Sequence, residues 1–344
     1  MNWSNYKRSF KISCSLRKIS EESQKLLLDY AENLNNKSLP IIFSIDHFSK
    51  LVGYEELLIY AIMNSPSRYY HSFFIPKRNR KLRQIREPYP TLKEIQNWIL
   101  HNILYHIPVS KYAKAYVKGK GLIDNVKFHK NQKVIIKLDI KNFFESITQS
   151  KINLIFLNLG YTKTVSYILS SLCCLDNKLP QGAPTSPYLS NIFFSQIDKR
   201  IGTYITNLKL RYTRYSDDIT ISGNIEDKQI KAIISFCENT LSEYGLKIQK
   251  NKTKILRQNH CQYVTGVVLN KKISAGTKYK KEIRKEIYFI NKYGLDSHMI
   301  RIKLEKQNYL SHLLGKINWV LYLEKNNKEF LKYRQDIIEL IKIF

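Results

Sequence analysis

Three acidic residues hold the chemistry that this sequence offers most clearly. Asp139 follows the β-branched run "KVIIKL", and Asp217 and Asp218 stand side by side inside "RYTRYSDDITIS", residues 211–222. Each has an ordinary use when taken alone. An acid at a strand end caps a following helix, and an Asp-Asp pair suits the tip of a hairpin. Taken together they suggest more, because like charges repel at short range and burial raises the cost. A divalent cation removes that cost. Mg²⁺ takes hard carboxylate oxygens and draws its remaining ligands from water and phosphates. Two such ions, bridged by acids on adjacent strands, activate an attacking hydroxyl and stabilise the leaving oxygen of an in-line phosphoryl transfer.

The composition points to the substrate class for such chemistry. There are 57 Lys and Arg against 28 Asp and Glu, a net charge of +29, interleaved with 24 Tyr and 15 Phe. Cations mixed with aromatic rings suit a polyanion, most often nucleic acid; a merely solvated basic surface is the alternative. No segment approaches the ~18 consecutive apolar residues of a membrane span. The N-terminus "MNWSNYKRSFKISCS" has no apolar signal core. Five cysteines, Cys14, Cys173, Cys174, Cys237 and Cys261, form no zinc-type spacing. They read as reduced, buried thiols of a cytoplasmic protein.

The elements that must position the acids follow from periodicity. Residues 1–65 read as helical, with "EESQKLLLDYAENL" and "FSKLVGYEELLIYAIM" as apolar-striped segments. Residues 69–90 read as a β-hairpin around the basic turn "KRNRK". "TLKEIQNWILHNILYHI" is helical, "NQKVIIKLDI" a strand, and "SKINLIFLNLG" and "KTVSYILSSLCCL" are helices. A Gly/Pro loop, "LPQGAPTSP", leads into another helix, and "LKLRYTRYSDDITISG" reads as a hairpin with Asp217 and Asp218 near its tip. An amphipathic helix, strands in "LKIQKNKTKIL" and "QYVTGVVLN", and a helical pattern from about residue 275 complete the chain, with Trp319 expected in a core. Strands and helices in this order argue for an α+β core with helical ends.

The chain resembles a reverse transcriptase. "LDIKNFF", "LPQGAPTSP" and "YSDD" match the palm motifs of that family in order and at suitable distances. "YGLKIQKNKTKIL" and "VTGVVLN" resemble the motifs that follow, and "IPKRNRKLRQI" resembles the fingers hairpin. The likeness runs from about residue 65 to the C-terminus. Within the family it is nearest the bacterial retron type. Asn125 and His129 in "DNVKFH" keep the spacing of the retron NAxxH element, and "VTG", Val264 to Gly266, matches a retron signature. Val126 and Ser216 stand where Ala is usual.

The resemblance implies a right-hand polymerase with an antiparallel palm sheet and a helical C-terminal thumb. Its parts would be an N-terminal helical extension (1–65), fingers (66–135), palm (136–270, with fingers helices at about 150–175) and thumb (271–344). Asp139, Asp217 and Asp218 become the ligands of two Mg²⁺ ions. Phe144 takes the place of the steric gate that excludes a ribose 2′-hydroxyl, beside a core Phe143. Gln181 and Gly182 would contact the incoming nucleotide and template. Arg83, with Lys77 and Arg78, would bind the triphosphate, for which basic side chains are suited. Lys252 corresponds to a lysine near the pyrophosphate that could donate a proton. Asn125, His129, Val264, Thr265 and Gly266 are assigned to recognition of the cognate RNA. Lys280, Lys281, Arg284 and Lys285 would track a phosphate backbone from a helix whose other face carries Tyr279, Ile283, Ile287 and Ile290.

A retron enzyme would copy its own structured RNA into single-stranded DNA, starting from a guanosine 2′-hydroxyl and leaving a 2′,5′ branch. Its partners would be that RNA, the DNA product, deoxynucleoside triphosphates, an effector protein and a host RNase H, in anti-phage defence. Two other readings stay open: another bacterial reverse transcriptase (group II intron-like or defence-associated), or an idle RNA-binding scaffold on the same fold.

Overall fold

The structure, a computed structural model, describes residues 3–76, 82–302 and 309–343. In chain order its elements are α1 (Trp3–Leu16), α2 (Glu21–Asn36), α3 (Ile45–Val52), α4 (Glu56–Asn64), β1 (Tyr70–Pro76), β2 (Leu82–Pro88), α5 (Pro90–Asn102), α6 (Leu122–Val126) and β3 (Val134–Asp139). Then come α7 (Gln149–Leu159), α8 (Lys163–Cys173), α9 (Ser186–Asn207), β4 (Arg211–Tyr215), β5 (Asp218–Gly223) and α10 (Asp227–Glu243). The chain closes with β6 (Lys254–Arg257), β7 (Tyr263–Val264), β8 (Val267–Val268), α11 (Thr277–Tyr293), α12 (Leu295–Ile302), α13 (Tyr309–Leu323) and α14 (Lys328–Ile343). The order is that of an α+β protein with a helical C-terminal region, as the periodicity implies, and with the antiparallel sheet that the resemblance implies.

Two compact units divide these elements. The first comprises residues 1–118, 140–201 and 238–247; the second comprises 119–139, 202–237 and 248–344. The chain passes from one to the other inside α9 and inside α10.

The first unit is mostly helical. Its α2 begins at Ser20, whose hydroxyl accepts from the Ser23 amide, and Glu21 and Glu22 fill the first turn, where helix dipole and free N–H groups favour negative charge. The stretch "FSKLVGYEELLIYAIM" forms two helices, not one. Gly53 ends α3 in the left-handed region at φ 78° and turns the chain into α4. Leu34, Ile42, Phe48, Ile59, Ile62, Ile95 and Ile99 are buried in this unit. The hairpin β1–β2 pairs Tyr70 with Pro88 through to Pro76 with Leu82.

The second unit is built on a four-stranded antiparallel sheet in the order β4-β5-β3-β6. Strand β3 lies inside the sheet and is almost wholly buried, which is why it reads as an unbroken apolar run, not an alternation. Two stretches read as continuous strands are interrupted. Before β6, residues 250–252 form a 3-10 turn, because the Gln249 amide is drawn to the Asp139 carbonyl at 2.8 Å. "YVTGVV" is a tight hairpin, with Thr265 and Gly266 both at positive φ (47° and 85°), the geometry that closes two-residue turns. Val126, Ile135, Val264, Val267, Ile283, Ile287, Ile290, Leu313, Ile317 and Phe330 form one core through this unit. Tyr279 and Trp319 pack against it half-buried, so Trp319 is less enclosed than its sequence context implies. Four cysteines are buried and unbonded, but Cys261 is exposed on the segment leading into β7. Among the described residues no helix is long and apolar enough to cross a membrane.

Candidate active site

Asp139 is the last residue of β3 and Asp218 the first of β5, and the antiparallel register sets them directly opposite each other. Asp217 completes the turn between β4 and β5. Ser216, immediately before it, has a positive φ of 60°. Arg214, a fully buried arginine on β4, donates from Nη1 to the Ser216 carbonyl at 3.1 Å and so ties down that turn. Arg214 was not singled out in the sequence.

The electrostatics follow from this convergence. Burial, followed by the charges of Asp218 and Asp139, pushes the Asp217 carboxyl up to about 6. Burial also raises Asp218, while Lys137 and Lys252 oppose the shift. Lys252, in the 3-10 turn before β6, donates to both Asp139 carboxylate oxygens at 2.9 Å. Among the described residues no three such side chains are already drawn into an ion-holding cluster. Asp139 faces the lysine instead. The donor set still suits a hard divalent cation. Two carboxylates end neighbouring strands and a third lies in the adjoining turn, two of them retain protons more readily than usual, and the nearby positive charge is on an exposed side chain.

The other expected nucleotide contacts lie in the first unit. Phe144 starts a 3-10 turn five residues after Asp139 and is half-buried, edge-on to Phe143 at a centroid distance of 5.1 Å. Phe143 is buried against Phe194, as expected for a core residue. Gln181 accepts the Arg86 amide at 2.7 Å through its carbonyl, which fastens the "LPQGAP" loop to β2. Gly182 sits at φ 132°, where a Cβ would lie 2.5 Å from the Arg86 carbonyl oxygen. Only glycine allows that approach. We therefore expect Gly182→Ala to cost at least ~2 kcal/mol of stability and to raise the KM for nucleotide. Thermal melting and steady-state kinetics check both. Arg83 is exposed on β2 opposite Ile75. Lys77 and Arg78 lie outside the described residues.

The structure corrects part of the RNA assignment. Asn125 and His129 are 0 % exposed. Thr213 Oγ1 donates to Asn125 Oδ1 at 2.6 Å and contacts His129 Nε2 at 2.7 Å, while Ser222 Oγ lies 2.7 Å from His129 Nδ1. With Thr213 donating to Asn125, it accepts from His129 Nε2–H, and Ser222 donates to Nδ1. The Asn/His element thus braces β4 and β5, and neither side chain reaches the surface. Val264 is likewise core; Thr265 and Gly266 form the hairpin turn, with Gly266 exposed.

The α11 cations divide in two. Lys280 is mostly buried and pairs with Glu324 at 2.9 Å, and Arg284 grips Glu329 through two bonds of 2.6 and 2.7 Å. Lys281 and Lys285 are exposed. Ala at 281 and 285 should weaken RNA binding and flatten its salt dependence by about one unit of slope per residue. Ala at 280 or 284 should instead lower the melting temperature. Filter binding across a salt series, beside melting curves, separates the two pairs.

The reverse transcriptase (RNA-dependent DNA polymerase) family profile matches residues 75–269. Retron Ec86 reverse transcriptase of Escherichia coli is 30 % identical over 304 residues, 87 % of this chain and 91 % of that protein. Retron Ec83 reverse transcriptase of Escherichia coli is 31 % identical over 300 residues, 82 % and 92 % of the two chains. Retron Mx65 reverse transcriptase of Myxococcus xanthus is 26 % identical over 345 residues, 94 % and 78 %. A telomerase structure from Candida albicans, in complex with a TWJ fragment of telomeric RNA, aligns with a TM-score of 0.45 at 14 % identity, over 78 % of this chain and 59 % of that one. The family profile spans more than half of the chain and the retron similarity nearly all of it, so this protein belongs to the reverse transcriptases, RNA-directed DNA polymerases, and among them to the retron reverse transcriptases.

Proposed function

We propose that this enzyme copies a structured RNA of its own into single-stranded DNA, primed from a guanosine 2′-hydroxyl, and leaves the product joined to RNA by a 2′,5′ branch. The retron similarity across most of the chain supports the priming mode. The observation that carries the catalytic reading is the register of Asp139 opposite Asp218 with Asp217 beside them. Asp139 and Asp217 would hold two Mg²⁺ ions, with Asp218 supporting them. Bound there, the ions would activate the primer hydroxyl and stabilise the pyrophosphate oxygen.

The chain's own groups do the rest. Arg83, with Lys77 and Arg78, binds the triphosphate; Gln181 and Gly182 shape the loop against which the nucleotide sits; Phe144 excludes the 2′-hydroxyl. Lys252, which donates to both Asp139 carboxylate oxygens, would protonate the leaving group. Lys252→Met should lower kcat by roughly 10²-fold while reducing the Mg²⁺ concentration needed for half-maximal rate, since the carboxylate then has no competing cation. A Mg²⁺ titration of primer extension reads both.

We divide the chain into an N-terminal helical extension (1–65), fingers (66–135), palm (136–270) and thumb (271–344). The complex would act in the cytoplasm in anti-phage defence, with an effector protein as partner and a host RNase H trimming the RNA. The test is to purify the protein expressed with its flanking DNA and run the bound nucleic acid on a denaturing gel. A discrete DNA that shifts after both RNase and debranching enzyme is expected. Heterogeneous DNA without attached RNA would refute the retron priming mode and leave the acids their role; RNA alone would refute synthesis.

A further inference from the structure

Tyr116 is held in a conformation that its own side chain disfavours. Its φ is 61°, a left-handed backbone that a bulky L-residue adopts only when the surroundings impose it. The imposing contacts are visible one residue earlier. The Ala115 carbonyl accepts from Asn191 Nδ2 at 2.8 Å, and Asn191 is 0 % exposed on α9. Ala113 and Ala115 are buried, and Tyr188, one turn before Asn191, donates to the Ile107 carbonyl at 2.9 Å. The segment is thus pinned to α9 at two points, and the strain falls on Tyr116.

What the strain achieves is the placement of one ring. Tyr116 is 44 % exposed and its ring lies 6.4 Å from that of Phe144, tilted by 44°. Phe144 is meanwhile edge-on to Phe143 at 5.1 Å, and Phe143 packs on Phe194 of α9 at 5.2 Å. Phe144 therefore has two aromatic neighbours, the buried Phe143 and the more distant Tyr116. An aromatic side chain that must exclude a single hydroxyl is better held by two neighbours than by one, because otherwise it can rotate away.

We infer that Tyr116 is a positioning residue for sugar selection: it backs Phe144 and keeps that ring where it excludes a ribonucleotide. The inference rests on the reading of Phe144 as the steric gate. It gives Asn191 a part as well, since the clamp on Ala115 fixes the direction of Tyr116.

The test is a cycle of single-nucleotide extension assays on the full chain with its RNA, reading kcat/KM for a deoxynucleotide and the matching ribonucleotide. Tyr116→Ala should raise ribonucleotide use relative to deoxynucleotide about three- to tenfold, the size of one aromatic pair, with deoxynucleotide kcat/KM little changed. Tyr116→Phe should keep the parent ratio. Tyr116→Gly should relax the ratio like Ala while melting no lower than Tyr116→Ala, because glycine relieves the positive φ; that variant separates selectivity from folding. Phe144→Ala should relax the ratio further, and adding Tyr116→Ala to it should change nothing. If Phe144→Ala relaxes selection and Tyr116→Ala does not, the inference is overturned and the gate stands. Equal effects of Tyr116→Ala with and without Phe144 would overturn the positioning role, since Tyr116 would then act on the nucleotide directly. An unchanged ratio in Phe144→Ala would overturn the gate and the inference with it.

Discussion

Asp217→Asn is expected to abolish DNA synthesis, by 10³-fold or more, and at the same time to make the metal-free protein harder to unfold. The second effect follows from the direction of the pKa shift. Burial and two neighbouring carboxylates raise the Asp217 carboxyl from 3.8 to about 6. A group that holds its proton more tightly when folded favours the native state only while protonated. Its penalty is absent below about pH 4, grows as pH rises to about 6, and is complete above that. Two pKa units correspond to roughly 3 kcal/mol. Removing the charge with an isosteric amide should therefore raise the melting temperature by a few degrees at pH 7.5 in EDTA, and leave it unchanged near pH 4. Other carboxylates in the chain shift the opposite way, Glu324 and Glu329 among them, so variant and parent must be compared at each pH. Added Mg²⁺ should narrow the gap by stabilising the parent. A variant that is inactive and also less stable at neutral pH would show that Asp217 is structural.

His129→Ala is expected to destabilise the protein by about 2–4 kcal/mol, close to the limit that a marginally stable unit tolerates. The substitution removes both ring contacts to Thr213 and Ser222 and leaves two hydroxyls behind the sheet short of partners. It also opens a cavity next to Asn125, whose Nδ2 has no hydrogen-bond partner among the described residues. Because β4 and β5 carry the turn with Asp217, synthesis should fail on heating before the rest of the chain melts. RNA affinity measured at low temperature, where the variant remains folded, should fall no more than twofold. Urea unfolding and RNA titration at 10 °C check the pair. Unchanged stability with lost RNA affinity would return His129 to the RNA surface.

The contrast between these two residues shows how far the sequence carries. Both belong to short, recognisable patterns. For Asp217 the pattern foretold the position, in the turn between β4 and β5 next to the Asp139–Asp218 pair. For His129 the spacing resembles an element of the retron family but does not show its exposure. An Asn and a His four residues apart look the same whether they face solvent or the back of a sheet. The division of the α11 cations was hidden for the same reason. Lys280 and Lys281 are neighbours in sequence, and only the positions of Glu324 and Glu329, more than forty residues later, decide which cations are neutralised.

The sequence by itself determined which acids are candidates for catalysis, their placement on a strand end and a hairpin tip, the α+β order and the reverse transcriptase family. These depend on local periodicity and on motifs confined to a few residues each. Only the tertiary structure decided the register that sets Asp139 opposite Asp218, the capture of Asp139 by Lys252, and the burial of Asn125, His129 and Arg214. It also decided the strain at Tyr116. Those depend on which side chains long-range pairing brings together, and burial and electrostatic partners are properties of that pairing, not of any one segment.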